Sequence, residues 1–340
     1  MNWIELRRVA FASAKRWLWV AVILLPLTLS GCDGKQSALA PAGKAAEQIA
    51  TVFWWMVAGG VVIWLIVGGL AIYASFVHVA PRPRRAGLLI IGGGALIPTV
   101  VLTVLLSYGL ALLPDLVRPA PEGSQRITVV GEQWWWRVRY RTEEGDEIEL
   151  ANEIHLPVGE PVEFVLESAD VIHAFWIPSL GGKVDMIPGR ANRLSLEATK
   201  TGVFRGVCAE YCGSSHALMA FDVVVEEREA FEAWLAQQAA PAVTPENDTA
   251  RAGQEVFRRN GCGACHTIRG TAARGVLGPD LTHVGSRLTL AAGTFPQNPE
   301  ALVDWIACPD CVKPDALMPH FGMLPAKDQA ALAAYLGGLK

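Results

Sequence analysis

Four side chains that bind soft metals lie within twelve residues near the middle of the chain: Cys208, Cys212, His216 and Met219. A second imidazole, His173, lies upstream at the end of a predicted strand. Thiolate, imidazole and thioether ligands together are typical of copper electron-transfer sites, in which the thioether is a weak axial ligand. Two cysteines four positions apart in one loop can each bridge two metal ions. The spacing therefore predicts a copper centre.

Two other uses of these residues are open. A structural zinc ion takes cysteine and histidine ligands, and Cys208 and Cys212 are close enough in sequence for a disulfide to be considered. Zinc leaves Met219 without a role, and a disulfide leaves both histidines without one. Copper uses every member of the group. His155 stands apart from this group, and we interpret it as structural.

A second motif lies nearer the carboxyl end of the chain. Cys262, Cys265 and His266 form the pattern C-x-x-C-H, which attaches haem c through two thioether bonds and supplies one iron ligand from the histidine. Met318, within Leu-Met-Pro, is the expected sixth ligand, because a thioether ligand raises the haem potential into the range used for electron transfer. The motif predicts a domain that carries one covalent haem.

This region also contains alternative iron ligands, a histidine that is not expected to bind iron, and a second cysteine pair. His320 and Met323 are the alternative sixth ligands, and His283 is interpreted as a residue that does not bind iron. Cys308 and Cys311 form another C-x-x-C pair, but no histidine follows them, so the pair does not attach a second haem. Outside the cytoplasm such a pair is more often oxidised than free, which favours a disulfide.

The composition indicates that part of the chain lies in lipid. Of 340 residues, 51% are hydrophobic and 18% are charged, whereas soluble domains carry about 25% charged residues. Two apolar runs, Val52–Val77 and Gly87–Leu113, each exceed the ~20 residues needed to cross a bilayer. They predict a transmembrane hairpin over residues 51–114. The net charge of −4 argues against a nucleic-acid partner, and the hydrophobic content excludes disorder throughout.

Charge fixes the expected topology of this hairpin. Arg82, Arg84 and Arg85 lie in the short loop between the two runs, and positive charge in a short loop marks the cytoplasmic side. Residues 1–31 predict a signal peptide, which requires the same orientation. The end of that segment resembles a bacterial lipoprotein lipobox, so Cys32 is expected to be lipidated. The chain is thus expected in the bacterial inner membrane, in contact with lipid, with both metal motifs on the periplasmic side.

The elements that must position the two motifs form separate units. Residues 32–50 are expected to be a periplasmic segment, and 122–238 an antiparallel sandwich, because short alternating strands are separated by Gly and Pro turns. Residues 239–249 read as a flexible linker, and 250–340 as an all-α domain. The predicted strands are Arg126–Val130, Trp136–Tyr140, Glu147–Leu150, Val162–Leu166 and Phe221–Val225. The predicted helices are Glu229–Gln238, Gly253–Arg259 and Lys327–Leu336.

These residues carry a family resemblance. The pattern C-x-E-x-C-x-x-x-H-x-x-M, with a histidine upstream, resembles the binuclear CuA site of cytochrome c oxidase subunit II. Gly131–Trp136 is similar to the aromatic patch of that family, and Asp185–Arg190 to its loop facing subunit I. The resemblance extends from the hairpin to Gln238 and implies a cupredoxin-like fold. Residues 250–340 resemble a class I cytochrome c.

The resemblance implies a role for individual residues. The implied copper ligands are Cys208 and Cys212 as bridges, His173 and Met219 on one copper, and His216 with the Glu210 carbonyl on the other. The Glu210 side chain would face a magnesium ion shared with subunit I, and Trp134 would be the point of electron entry. A Glu that the family often has before the proline of the second helix corresponds here to Ile91, so proton uptake must be organised differently.

The implied function is that of the electron-input subunit of a haem–copper oxidase. Electrons would pass from cytochrome c or another periplasmic donor to haem c, to CuA and to subunit I, which reduces oxygen to water and translocates protons; subunit III is a further expected partner. The hairpin lacks the inward ligands of an oxygen-reducing centre. The alternatives are a CuA-bearing nitric oxide reductase subunit and a membrane-anchored electron shuttle. Seven histidines are too few for nitrous oxide reductase.

Overall fold

A computed structural model describes residues 34–77, 83–142, 145 and 147–340. The expected signal peptide, the lipidation site at Cys32 and Arg82 of the loop lie outside the described residues. Within the described part, the chain forms two apolar helices, a β-sandwich and a helical domain, in that order. The predicted architecture is therefore confirmed.

Two helices are long and apolar enough to cross a membrane, Lys44–Phe76 and Ala86–Leu116. The first is α1. The second lies within a continuous helical segment that begins at Pro83 and whose hydrogen-bonding pattern changes along its length. This segment consists of α2 (Pro83–Leu88), a π-helical stretch (Leu89–Leu96) and α3 (Ile97–Leu116). Ile91 lies in the π-helical stretch with 68% of its surface exposed, which suits a lipid or partner-facing position for an apolar residue.

Helix α1 begins inside the segment that was expected to precede the hairpin. Its first turn is attached to the sandwich by a 2.5 Å ion pair between Lys44 and Glu197 and by a 2.7 Å hydrogen bond from Thr199 to Glu47. A Cβ atom on Gly43 would lie 2.5 Å from the carbonyl oxygen of Leu180, so the helix start can approach the sandwich only with glycine there. Helix α1 is thereby joined directly to the sandwich.

The sandwich consists of two five-stranded sheets, with strand orders β3-β2-β1-β5-β8 and β4-β10-β9-β6-β7. The strands are β1 (Gln125–Glu132), β2 (Trp135–Arg141), β3 (Glu147–Ala151), β4 (Glu153–Pro157), β5 (Pro161–Ser168), β6 (His173–Trp176), β7 (Val184–Met186), β8 (Asn192–Glu197), β9 (Gly202–Cys208) and β10 (Ala220–Glu226). Most neighbours are antiparallel, but β1–β5 and β4–β10 are parallel. The chain passes from the first sheet to the second between β3 and β4. It returns to the first sheet with β5, which pairs parallel to β1.

Aromatic side chains fill the space between the two sheets. Trp136, Phe175 and Phe221 are fully buried, with ring centroids 5.1 Å apart for Trp136 and Phe221 and 4.9 Å apart for Phe175 and Phe221. Such contacts are favourable for large buried rings. These rings adjoin the strand ends that carry the copper candidates: the Trp136 and His173 ring centroids lie 6.3 Å apart, and Phe175 lies opposite Cys208 in the β6–β9 pair.

Helix α4 (Arg228–Ala239) follows the sandwich, and the helical domain contains α5 (Asp248–Arg259), α6 (Pro299–Ala307), α7 (Pro309–Val312) and α8 (Ala326–Gly337). A short pair of strands, β11 (Thr289–Leu290) and β12 (Phe295–Pro296), joins two of its loops. Helices α5 and α8 cross closely, because a Cβ atom on Gly253 would lie 1.9 Å from the Ala331 carbonyl oxygen. The helices at the two ends of the domain therefore pack on each other.

The linker between the two domains is not the free tether expected from its composition. Ala242 donates its backbone N–H to the carbonyl of Arg269 at 2.9 Å, and the Ala240 carbonyl lies 3.1 Å from His283 Nε2. Pro241 packs against Gly270, whose added Cβ would come within 2.9 Å of it. Backbone groups that have partners inside a domain are held by it, so the first part of the linker belongs structurally to the helical domain.

Candidate copper and haem sites

Strand pairing brings the distant copper candidates together. Strand β6 begins at His173 and β9 ends at Cys208, and the two strands pair with Phe175 opposite Cys208. The residue 209–219 loop leaves β9 and returns to β10, and the Cys208 N–H donates to the Met219 carbonyl at 2.9 Å to close it. The sandwich thus places one strand end and one closed loop at the same edge.

Cys208 lies at the centre of one set of donors. Its Sγ is 3.8 Å from Cys212 Sγ, 3.8 Å from His173 Nδ1 and 3.2 Å from the backbone oxygen of Glu210. Both sulfurs and the His173 ring are buried. An imidazole and a carbonyl therefore face one sulfur of the pair.

Cys212 has the complementary set. Its Sγ lies 3.6 Å from His216 Nδ1 and 3.8 Å from Met219 Sδ. Each sulfur of the pair is thus contacted by one imidazole and by one weaker donor, either a carbonyl or a thioether. Soft sulfur donors with two imidazoles and a thioether suit copper, and these residues fit the group. A Cys208–Cys212 disulfide does not form among these free thiols.

Hydrogen bonding favours ionisation within this cluster. The hydrogen bond between the two thiols lowers the pKa of Cys208 and raises the pKa of Cys212. Burial lowers the pKa of His173, but hydrogen bonds with Cys208 and Asp170 raise it, and the net shift is upward. A thiolate is the form that binds a metal.

Asp170 is a functional residue that the sequence reasoning missed. Its Oδ1 lies 2.8 Å from His173 Nε2, which leaves Nδ1 of the same ring directed at the sulfur. A carboxylate behind a ligating histidine fixes its tautomer and orientation. Gly131 also admits this ring, because a Cβ atom there would lie 2.8 Å from it. The sequence signal that could have identified Asp170 is its position, three residues before a candidate histidine ligand.

Trp134, the expected point of electron entry, lies beside the copper candidates but not at the surface. Its Nε1 donates to the Cys212 carbonyl at 3.0 Å, and 8% of its surface is exposed. Gln133 donates to the same carbonyl at 2.7 Å. Trp134 therefore supports the 209–219 loop and lies in the buried core of the sandwich.

The C-x-x-C-H segment presents its histidine for iron. His266 Nδ1 lies 2.8 Å from the Pro279 carbonyl oxygen, which makes Nε2 the ring nitrogen available to a metal. Burial lowers the pKa of His266, so the ring is neutral at pH 7, as a ligand must be. A Cβ atom on Gly278 would lie 2.5 Å from this ring. Cys262 and Cys265 are free thiols on the adjoining turn.

Apolar side chains are exposed beside both candidate iron ligands: Val276 and Leu277 precede Gly278, which adjoins the His266 ring, and Leu317 precedes Met318. Val276 is 68% exposed, Leu277 77% and Leu317 86%. Exposed apolar surface of this kind is costly in water and marks a ligand site. Met318 is half-buried and packs against the core of the helical domain. The residues therefore fit a haem held between His266 and the segment that contains Met318.

The competing ligands are placed less favourably than Met318. His320 has both ring nitrogens engaged, with Nε2 2.6 Å from Asp310 Oδ1 and Nδ1 3.5 Å from Cys308 Sγ. Met323 is 76% exposed. Cys308 and Cys311 are joined as a disulfide. These contacts leave Met318 as the candidate for the sixth position.

His155 and His283 lie away from the two metal-binding groups. His155 contacts Glu226 at 2.7 Å and Glu153 at 3.2 Å, and its ring stacks on Trp234 with centroids 3.8 Å apart. His283 is buried beneath the linker, with Nε2 facing the Ala240 carbonyl. Both positions agree with a structural role.

Two protein-family models match the chain. Residues 142–227 match the periplasmic domain of cytochrome c oxidase subunit II, and residues 250–340 match cytochrome c. The first family implies copper and the second implies haem. The first match covers β3 to β10 of the sandwich and the second covers the helical domain, and the two regions contain the two groups of candidate ligands.

Curated relatives match nearly the whole chain. Cytochrome c oxidase subunit 2 of Alkalihalophilus pseudofirmus is 35% identical over 93% of this chain and 95% of its own length. The Bacillus subtilis protein of the same name is 31% identical over 96% and 98%. Among solved structures, the periplasmic domain of subunit II of cytochrome oxidase from Bradyrhizobium japonicum is 34% identical, with a TM-score of 0.33, over 35% of this chain and 96% of that one. The chain belongs to the cytochrome c oxidase subunit 2 family and is part of an oxidoreductase, with a cytochrome c domain at its carboxyl end.

Proposed function

We propose that this chain is the electron-input subunit of a haem–copper oxidase. Electrons from cytochrome c or another periplasmic donor would enter the helical domain, pass to the sandwich and continue to subunit I, which reduces oxygen to water and translocates protons. Haem c and copper supply one-electron redox chemistry when bound. One observation supports this proposal above the others: a converged soft-ligand cluster and a haem-attachment segment occur on one chain.

The chain's own residues would hold two copper ions. Cys208 and Cys212 would bridge them, because their sulfurs lie side by side with different donors on each. His173 and Met219 would complete one site, and His216 with the Glu210 carbonyl the other, as the family resemblance implies. Each of these four donors lies within 3.8 Å of one of the two sulfurs, which supports their use as ligands. The Glu210 side chain would take part in a magnesium site at the interface with subunit I.

The haem would be attached by Cys262 and Cys265 and held by His266 and Met318. The sandwich, residues 122–238, and the helical domain, residues 250–340, would both lie on the periplasmic side of a bacterial inner membrane, anchored in lipid by the hairpin. Subunit III would join the same complex. Lipidation at Cys32 would add a second membrane attachment.

Purification of the assembled complex tests the proposal. We expect the chain to copurify with a larger haem-bearing subunit, to contain two coppers and one covalent haem c, and to support oxygen uptake from a reduced donor. Paramagnetic resonance should show one unpaired electron shared by two equivalent copper nuclei. A chain that leaves the detergent extract alone would indicate a shuttle, and consumption of nitric oxide instead of oxygen would indicate a reductase.

A further inference from the structure

A lysine of the helical domain is buried in the sandwich beside the 209–219 loop. Lys313 is 3% exposed, and its Nζ donates to the backbone carbonyls of Trp134 at 2.5 Å, Leu218 at 3.1 Å and Ala291 at 3.3 Å. Two of these acceptors belong to the sandwich and one to the helical domain. An ammonium group has three donors, so the lysine joins both domains at one point.

Burial of this side chain is costly by itself. Loss of water around the ammonium group lowers the pKa of Lys313 to about 7. A buried charge is tolerated where its hydrogen-bonding capacity is satisfied, and three carbonyl oxygens do so here. Because all three carbonyl oxygens must lie within hydrogen-bonding distance of one ammonium group, the contact is specific for one relative position of the two domains.

The two residues after Lys313 extend the contact along the 209–219 loop. Ser215 Oγ donates to the Pro314 carbonyl at 2.8 Å, and Ser214 Oγ donates to the Asp315 carboxylate. Asp315 has a φ of 66°, a left-handed conformation that Asp and Asn tolerate better than most residues. We refer to residues 313–315 as the docking segment.

A second loop of the helical domain reaches the strand that follows the same copper candidates. The Ala220 N–H, next to Met219, donates to the Ala292 carbonyl at 3.1 Å. Ala291 and Ala292 have φ values of 52° and 58°, which are unfavourable for alanine. Strained backbone persists where surrounding contacts hold it. Here the Ala292 carbonyl accepts from the sandwich, and the Ala291 carbonyl accepts from Lys313, which itself contacts the sandwich.

We propose that Lys313 is a positioning residue that fixes the helical domain on the copper-ligand loop, so that the segment containing Met318 and the loop containing Met219 keep one spacing. The docking is inferred from the contacts alone. Its effect on electron transfer rests on the proposed function. Met318 lies five positions after Lys313, so the docking segment leads directly from one group of candidate ligands to the other. The docking also fixes the backbone carbonyl of Trp134, whose indole donates to the copper-ligand loop.

The test uses the complete oxidase with Lys313→Met, which retains the length of the stem but removes the donors. Asp315→Gly is a second variant, because glycine accepts the positive φ while losing the contact with Ser214. Lys327→Met, an exposed lysine of α8, is the matched control. Two quantities are measured: hydrogen exchange at the Ala220 amide, and the rate of haem-to-copper electron transfer after rapid haem reduction.

We expect the wild type and the Lys327 variant to protect the Ala220 amide from exchange. In the Lys313 variant this amide should exchange at least about tenfold faster than in the wild type, which corresponds to loss of a contact worth about 1.4 kcal/mol. Transfer should slow by a similar factor, while the haem spectrum and the copper resonance stay unchanged. The Asp315 variant should show smaller changes in the same direction.

Unchanged exchange at Ala220 in both docking-segment variants would overturn the docking. Faster exchange with an unchanged transfer rate would overturn the positioning role. If the Lys313 variant does not fold, the Asp315 variant decides between these results. Absence of haem-to-copper transfer in a wild type that protects Ala220 would refute the proposed function and leave the docking intact.

Discussion

Asp170 Oδ1 and His173 Nε2 lie 2.8 Å apart, and the opposite nitrogen of the same imidazole lies 3.8 Å from Cys208 Sγ. The carboxylate therefore determines which nitrogen the ring presents to the sulfur pair. Asp170 also accepts the backbone N–H of Gln133 at 2.7 Å, so its own orientation is fixed. One side chain thus links the segment around Trp134 to a candidate ligand.

Replacement of Asp170 by asparagine should weaken copper binding without removing a ligand. Loss of such a partner behind a ligating histidine costs about 10–100-fold in metal affinity, and we expect a decrease in that range. Copper competition against a chelator measures it. Asp304→Asn, an exposed carboxylate in the helical domain, has the same charge change and should have no effect; equal losses in both variants would show that net charge is responsible.

Replacement of Met318 by alanine should lower the haem reduction potential, because a thioether ligand raises it. The covalent attachment and the fold should persist, since the side chain is only half-buried. A redox titration of the full chain measures the potential. Met323→Ala provides the matched control, as this side chain is 76% exposed. A lowered potential in the Met323 variant alone would reassign the sixth ligand.

His155 should contribute stability rather than metal binding. Its contacts with Glu153 and Glu226 and its stacking on Trp234 are lost in His155→Ala, and we expect a decrease of about 1–3 kcal/mol in the free energy of unfolding. Denaturant titration of the copper-loaded chain measures this decrease. His155→Phe retains the stacking and should lose less. A normal unfolding free energy with a missing copper ion would show that His155 is a ligand.

The sequence was sufficient for several elements whose signal is local, although α6, β8 and β9 were not predicted. The apolar runs predicted the membrane helices, strand alternation predicted β1, β2, β3, β5 and β10, and the metal motifs lie in two short segments. The start of α1 at Lys44 was missed, because small residues and Gly43 give no hydrophobic pattern before the packing is known. The parallel pairing of β1 with β5 depends on the order of strands in space, which alternation does not specify.

The contacts between the domains were not predictable from the same signals. Lys313 lies in a proline-rich loop where a lysine is expected to be exposed, and its partners are backbone carbonyls, which every residue has. The composition of the linker predicted flexibility, but its backbone groups pair with the Arg269 carbonyl and the His283 ring of the helical domain. Trp134 was expected to be the point of electron entry, but its side chain lies in the buried core of the sandwich.

The most direct test of the account is the response of the complete oxidase to His173→Ala. His173 is fully buried among the copper candidates, whereas the residues proposed to hold the haem lie in the other domain, so the haem should still be reduced by its donor. Haem spectra and oxygen uptake are recorded together during turnover. We expect a fully reduced haem and no oxygen uptake, because electrons would accumulate before the damaged centre. Oxygen uptake at the wild-type rate, with the haem turning over and copper absent, would show that electrons bypass the sandwich and would refute the proposed order of electron transfer.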